Sequence, residues 1–163
     1  MNAGAYGGEI AGVLREATLL APDGQVKTVP AAELGLGYRH SRMMETGEIV
    51  VEAVFALAPG DANAIAAAMR DYAARRREKQ PVTLPSAGSF FKRPAGYFAG
   101  ALIEGAGLKG LRVGGAEVST LHAGFLVNVG GATAQDFLDL SAQVIERVRQ
   151  TSGVTLEPEV QIV

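Results

Sequence analysis

The stretch from Thr133 to Gly153 constrains the fold most. Thr133 is followed three residues later by Asp136, the spacing of a capping box in which each side chain satisfies the other residue's backbone N–H. Phe137, Leu140, Val144, Ile145 and Val148 then recur at helical spacing, and Gly153 stands where a left-handed residue closes a helix. A helix with one strong apolar face is stable mainly through packing, so other elements of the chain must cover it.

The rest of the chain supplies those elements. Residues 13–20 and 25–29 flank Pro22-Asp23-Gly24, a strand, turn, strand signal. Ala31 to Leu34, after Pro30, predicts one helical turn. Gly37-Tyr38-Arg39-His40-Ser41 reads as a polar loop, and the valine-rich residues 48–57 as a largely buried strand. Asp61 is placed to N-cap a helix whose apolar face is Ile65, Met69 and Tyr72, and whose end is Arg75-Arg76-Arg77-Glu78-Lys79 before Pro81. A second helix over 98–106 stops at Gly107, and residues 108–119, with Gly110, Gly114 and Gly115, predict short strands with tight turns. Strands are expected over 125–129 and 160–163. Hairpins mixed with helices favour an α+β fold over a regular βαβ array.

Composition removes several function classes. A net charge of -2 argues against general nucleic-acid affinity. No cysteine is present, and the histidines are His40 and His122, so no metal site is expected. No apolar run approaches the roughly 20 residues of a membrane-spanning helix, and the first residues do not read as a signal peptide. A cytoplasmic location follows by default. The length, 163 residues, suits one domain or two small ones.

Ser86-Ala87-Gly88-Ser89-Phe90-Phe91-Lys92-Arg93-Pro94 is the stretch with most chemistry in it. Small residues let a ligand approach the backbone, and the aromatics can anchor the chain while Ser89 faces outward. Lys92 and Arg93 suit a carboxylate or phosphate. The plainer alternative is a turn with surface cations. The glycine-rich residues 1–10 can lie against a planar ligand or form a flexible terminus. The basic end at 75–79 is either a solvated face or a phosphate contact. No Rossmann spacing and no Walker loop occur. Arg39, Ser89 and an acid from Glu157-Pro158-Glu159 remain. A serine without a histidine base is a poor acyl-transfer nucleophile, but it can donate a proton where cations stabilise its conjugate base. Arg39 can hold a carboxylate through two hydrogen bonds.

Six sets of residues carry a resemblance: Asn2-Ala3-Gly4-Ala5-Tyr6-Gly7-Gly8-Glu9; Gly37 to Ser41; Ala87 to Lys92; Leu108-Lys109-Gly110 with Gly114-Gly115-Ala116; His122 to Phe125; and Leu156 to Val160. In this order they resemble the UDP-N-acetylenolpyruvoylglucosamine reductases, also called UDP-N-acetylmuramate dehydrogenases. The resemblance implies an oxidoreductase of peptidoglycan synthesis. NADPH reduces FAD, and the flavin reduces the enolpyruvyl group of a UDP-sugar. It implies that Ser89 protonates the intermediate, and that Arg39 and Glu159 stabilise it. Glu159 rather than Glu157 is implied because the family acid directly precedes the valine; Glu157 then reads as a solvated acid.

Asn2, Gly4, Ala5 and Gly7 fall in the implied cofactor loop. Tyr6 falls between flavin and substrate, and Lys79 at the substrate diphosphate. Arg93 stands where many relatives have an asparagine touching that diphosphate. His122 falls near the uridine, or is a packed or exposed strand-end histidine. Met43 and Met44 run directly into the next strand, as in the subclass without a tyrosine-bearing loop over the substrate. The implied domains are 1–58, the end of the FAD-binding domain, and 59–163, a small mixed substrate-binding domain. Relatives carry an FAD-binding region with a glycine-serine phosphate loop ahead of the Asn2 segment. The chain is thus expected to be a portion of the enzyme, inactive alone and unable to retain FAD, with the flavin-binding region as a partner. The alternative is a flavin-free binding or structural remnant.

Overall fold

The computed structural model describes residues 1–161. It forms two compact units, Met1–Ala68 and Met69–Val163. The fold is α+β, as expected. Among the described residues no helix is long and apolar enough to cross a membrane.

The first unit opens with a small hairpin, β1 (Gly4–Ala5) and β2 (Gly8–Glu9), where only a loop was expected. β3 (Leu14–Leu20) and β4 (Val26–Pro30) form the predicted hairpin, with Gly24 at φ +85° and Asp23 accepting the Gln25 N–H. A 3-10 turn covers Ala31–Glu33, and the short helix α1 spans Met43–Thr46. β5 (Ile49–Phe55) pairs with β3, so the sheet order is β4-β3-β5, antiparallel throughout. The core is small: Ala17, Leu19, Val29 and Leu34, with Leu14, Leu36 and Met43 against it. The expected burial of the valine-rich strand does not occur. Every residue of β5 is exposed, because β5 is an edge strand with a neighbour on one side only.

Glu48, just before β5, is the buried charged side chain among the described residues of this unit, its side chain 4% exposed. It accepts hydrogen bonds from Nε and Nη2 of Arg42 at 3.0 and 2.9 Å and from the Thr46 hydroxyl at 2.8 Å, and Lys27 lies 2.7 Å away. These partners lower its pKa from 4.5 to about 2, the Arg42 hydrogen bonds contributing most.

The helix α2 (Ala62–Lys79) runs across the boundary of the two units. Asp61 caps it as expected, accepting the Ala64 N–H at 2.8 Å. None of its residues is buried, and Ile65, Met69 and Tyr72 are 49%, 67% and 41% exposed, contrary to the packed apolar face predicted. Alanine at seven of its first thirteen positions makes it helical by propensity, without need of a packed face.

The second unit is a four-stranded antiparallel sheet under the capped helix. β6 (Ser86–Ser89), β7 (Arg112–Val113), β8 (Ala116–Val118) and β9 (Phe125–Asn128) are ordered β6-β9-β8-β7. α3 (Ala99–Gly105) packs on α4 (Ala134–Ser152), and α4 packs on β7 and β8. Both halves of the Thr133–Asp136 capping box form, and Gly153 closes α4 in the left-handed conformation. Leu140, Val144 and Val148 are fully buried, meeting Ile103, Val118, Leu126, Phe90 and Phe91. The strand expected over 160–163 is absent at Val160 and Gln161; Ile162 and Val163 lie outside the described residues.

The serine stretch is a strand, not a turn. Ser86 pairs with Val127 and Ser89 with Phe125, so β6 carries one residue more than β9 between the two pairs. The bulge contains Gly88 at φ +83°, with open space where a Cβ would stand. A bulge of this kind bends the strand and re-aims the next side chain. The glycine is required by its backbone angle and not by crowding. Gly115 is the opposite case, since a Cβ there would collide with the backbone of Gly130 and Ala132.

Two outcomes follow. Gly88→Ala forces a left-handed alanine and should destabilise the second unit by about 1–2 kcal/mol, read from the urea midpoint; an unchanged midpoint would show that the bulge relaxes. For Glu48, a depressed folded-state pKa means stability that is complete above pH 4.5 and fades as pH falls toward 2. Glu48→Gln should therefore melt below the parent at pH 7, with the difference shrinking between pH 4.5 and 2 in circular dichroism melts. A difference that stays constant with pH would assign the effect to shape instead.

Candidate functional site

In the first unit the glycine-rich segment is ordered by Asn2. This side chain is buried, donates from Nδ2 to Glu9 at 3.0 Å and accepts the Ala11 N–H at 2.9 Å. Its backbone also bridges Tyr38. Asn2 thus ties the β1–β2 hairpin, through its carboxamide, to the loop that carries Arg39, through its backbone. Gly4 needs its missing side chain, since a Cβ would press on the Gly8 carbonyl at 3.2 Å. Ala5, Tyr6 and Gly7 are exposed at the hairpin tip. Tyr6 and Gly7 have φ of 51° and 84°, the pair of positive values that a type I′ turn requires.

Arg39 sits in a second tight turn. Gly37 and His40 exchange backbone hydrogen bonds of 3.2 Å each, with Tyr38 and Arg39 at the tip. Arg39 has φ of 53°, and its guanidinium lies 5.5 Å from the Tyr38 ring centre. Among the described residues, Tyr6 and Arg39 are the non-glycine residues with positive φ. The same loop holds Ser41, whose buried hydroxyl has no hydrogen-bond partner among the described residues. Left-handed backbone and an unpaired buried hydroxyl are both unfavourable, so this loop has a shape that local preference alone would not select.

In the second unit the bulge delivers Ser89 to the surface while Phe90 and Phe91 turn into the core at 5% and 3% exposure. Their rings meet edge to face at 5.1 Å. The chain then pairs with the C-terminal segment: Phe91 bridges Pro158, Glu159 N–H bonds to the Phe90 carbonyl at 2.9 Å, and Lys92 N–H bonds to the Glu157 carbonyl at 2.8 Å. This ladder brings half-buried Glu159 to the Phe90-Phe91 peptide, next in the chain to Ser89, although 70 positions separate Ser89 from Glu159 in sequence. Glu157 is the exposed acid expected, and Lys92 in addition forms an ion pair with it across the same ladder. Nothing in the sequence signals that pair, whose members are 65 positions apart.

The remaining candidates in this unit are dispersed around that ladder. Arg93 stacks its guanidinium 3.9 Å from the Phe98 ring centre and donates from Nε to the Tyr97 carbonyl at 3.2 Å. Its position is therefore held by an aromatic partner, while its terminal nitrogens keep their donor capacity. His122 is half-buried against Phe125, 5.0 Å between ring centres. Its Nδ1 accepts the Gly124 N–H at 3.1 Å, which places the proton on Nε2. Gly100 and Gly124 give that ring room, since a Cβ on either would meet it at 3.2 or 3.0 Å. Lys79 ends α2 and is exposed. A mostly apolar cavity of about 510 Å³ lies between β6, β9 and the start of α4, lined by Ser86, Phe90, Leu126, Asn128, Phe137 and Val160. Among the described residues no cluster of His, Asp and Glu is arranged to hold a metal.

Comparison with known proteins gives this arrangement a family. Residues 80–163 match the C-terminal domain of UDP-N-acetylenolpyruvoylglucosamine reductase. The reductase of Streptococcus equi subsp. zooepidemicus is 55% identical over all 163 residues, which make up 55% of its length. That of Levilactobacillus brevis is 54% identical, again over the whole chain and 54% of its own length. The crystal structure of the reductase from Thermus caldophilus superposes with a TM-score of 0.84 at 37% identity, covering 99% of this chain and 57% of that one. The chain spans about half the length of the curated relatives it matches. On these grounds it belongs to the UDP-N-acetylenolpyruvoylglucosamine reductase family.

Proposed function

We propose that this chain contributes the substrate site and the proton-transfer groups of a reductase acting on a UDP-sugar enolpyruvyl ether, forming UDP-N-acetylmuramate for peptidoglycan. FAD and NADPH are the cofactors in this reading. Residues 1–58 are the end of the flavin-binding domain and 59–163 the substrate domain. Backbone strain carries the reading best: Tyr6 and Arg39, both assigned to the reacting centre by resemblance, are the non-glycine residues held at positive φ among those described. Such strain persists where the surrounding fold over-determines it, and it concentrates at functional sites.

The hairpin tip suits a flavin. Gly4, Ala5 and Gly7 leave backbone uncovered, and Asn2 fixes their shape from within. Bound FAD, reduced by NADPH, supplies the hydride for the enolpyruvyl double bond. The chain's own residues do the rest. Arg39 binds the substrate carboxylate and grips it harder as negative charge grows there. Ser89 holds the proton destined for the neighbouring carbon on its Oγ, at the exposed end of the bulge. Glu159, one step across the ladder, orients that proton or the intermediate. Arg93, held by Phe98, and Lys79 offer cationic donors for the diphosphate. His122 offers Nε2–H toward the nucleoside, and Tyr6 stands between the two ligands.

Two experiments test this in a polypeptide that carries the chain together with the rest of its relatives' length. Ser89→Ala should leave flavin reduction by NADPH near the parent rate and slow reoxidation by the enolpyruvyl substrate. Stopped-flow absorbance of each half-reaction decides it, and equal slowing of both would remove Ser89 from the proton-donor role. Arg39→Ala and Glu159→Ala should each raise the barrier by about 2.7–4 kcal/mol, lowering kcat more than they raise KM. The double variant should lose less than the sum of the two, because both act on one intermediate. Full additivity, or normal turnover in the Glu159 variant, would point to a different acid.

A further inference from the structure

Arg93 and Phe98 are brought together by a turn held at both ends. On one side the Lys92 N–H bonds to the Glu157 carbonyl at 2.8 Å, and on the other Ala99 and Ile103 seat α3 in the core. Between them the Tyr97 N–H reaches back to the Pro94 carbonyl at 3.1 Å, with Gly96 at φ 77°, a position in such turns that favours glycine. The turn sets the Tyr97 carbonyl 3.2 Å from Nε of Arg93, and the Phe98 ring centre 3.9 Å from the guanidinium carbon. Phe98 is 62% exposed, so its ring contributes little to the core; what it packs on is the cation. A guanidinium can make paired hydrogen bonds to an oxyanion along two edges, Nε with one terminal nitrogen or the two terminal nitrogens together. Here Tyr97 takes Nε and Phe98 covers one face. The Nη1–Nη2 edge is left, and among the described residues no carboxylate pairs with Arg93.

We propose that Phe98 is a positioning residue for anion binding: its ring holds Arg93 so that the Nη1–Nη2 edge takes one phosphate group of the substrate diphosphate end-on. This rests on Arg93 meeting that diphosphate, as proposed for the reductase, and adds how the side chain is held and which edge it presents. An arginine on an exposed loop gives up rotamer freedom when it binds a ligand, and one already held by a ring and a carbonyl gives up less. The ring also brings no negative charge. Neighbouring Lys92 is held instead by the Glu157 carboxylate, which competes with an incoming phosphate. A leucine in place of Phe98 keeps apolar bulk but has no ring face, and a tyrosine keeps the face.

The test measures UDP binding by calorimetry, and turnover of the enolpyruvyl substrate, in the polypeptide that carries the chain together with the rest of its relatives' length. Arg93→Ala should weaken UDP binding by about tenfold. Phe98→Leu should weaken it by about fivefold, and Phe98→Tyr should restore the parent affinity. In the Arg93→Ala background Phe98→Leu should have no further effect, because the ring acts through the guanidinium. In turnover Phe98→Leu should raise KM more than it lowers kcat. Three results would overturn the positioning role while leaving the diphosphate contact standing: Phe98→Leu binding UDP as the parent does, Phe98→Leu costing the same with and without Arg93, or Phe98→Tyr as weak as Phe98→Leu. A parent that fails to bind UDP, or an Arg93→Ala variant that binds it unchanged, would overturn both.

Discussion

The burial of Phe90 and Phe91 under α4 is the constraint on which the second unit depends. Two adjacent aromatics cannot both enter a core from a regular strand, because successive side chains point to opposite faces. The bulge at Gly88 and the end of β6 at Ser89 release the chain from that alternation. As a result both rings are buried, Ser89 is left at the surface, and Lys92 passes on to meet Glu157. The hydrophobic effect thus fixes the position of a hydroxyl that itself makes little contribution to stability. Deleting either ring would leave a large cavity at this point, of the kind that costs about 3–5 kcal/mol.

The first unit is organised differently. Its small apolar core is supplemented by polar hubs: Asn2, which ties the N-terminal hairpin to the Arg39 loop, and Glu48, which gathers Arg42, Lys27 and Thr46. Both are buried side chains whose polar atoms have partners, so they specify shape without leaving an unsatisfied group. That rigidity allows Tyr6 and Arg39 to hold left-handed backbone angles. The same unit leaves β5 bare.

The structure also clarifies which cations are already engaged. Lys92 is paired with Glu157, and Arg93 is stacked on Phe98. Of these two neighbours, Arg93 is the one without a carboxylate partner among the described residues. Phe98 and Arg93 thus form a stacked unit in this chain.

Local signals were read directly from the chain. The Thr133–Asp136 capping box, the Gly153 stop, the Asp61 cap and the Pro22-Asp23-Gly24 hairpin all depend on side chains within a few residues of one another, and all formed. The family resemblance rested on short segments of the same local kind. Burial was not legible in the same way. Valine-rich β5 and the Ile65-Met69-Tyr72 stripe carry the patterns of covered elements and are exposed, because exposure depends on what stands opposite, which pattern does not encode. The Ser86–Ser89 strand was missed for a related reason: a glycine-serine run has low strand propensity, and pairing with β9 overrides it. The backbone bond of Glu159 to Phe90 and the Lys92–Glu157 pair also belong to the tertiary structure alone. Residue types and spacing determined the elements and the family. The ladder between residues 90–92 and 157–159, closed only when the chain folds, decided which of two acids bonds through its backbone to Phe90 and which is engaged by a lysine.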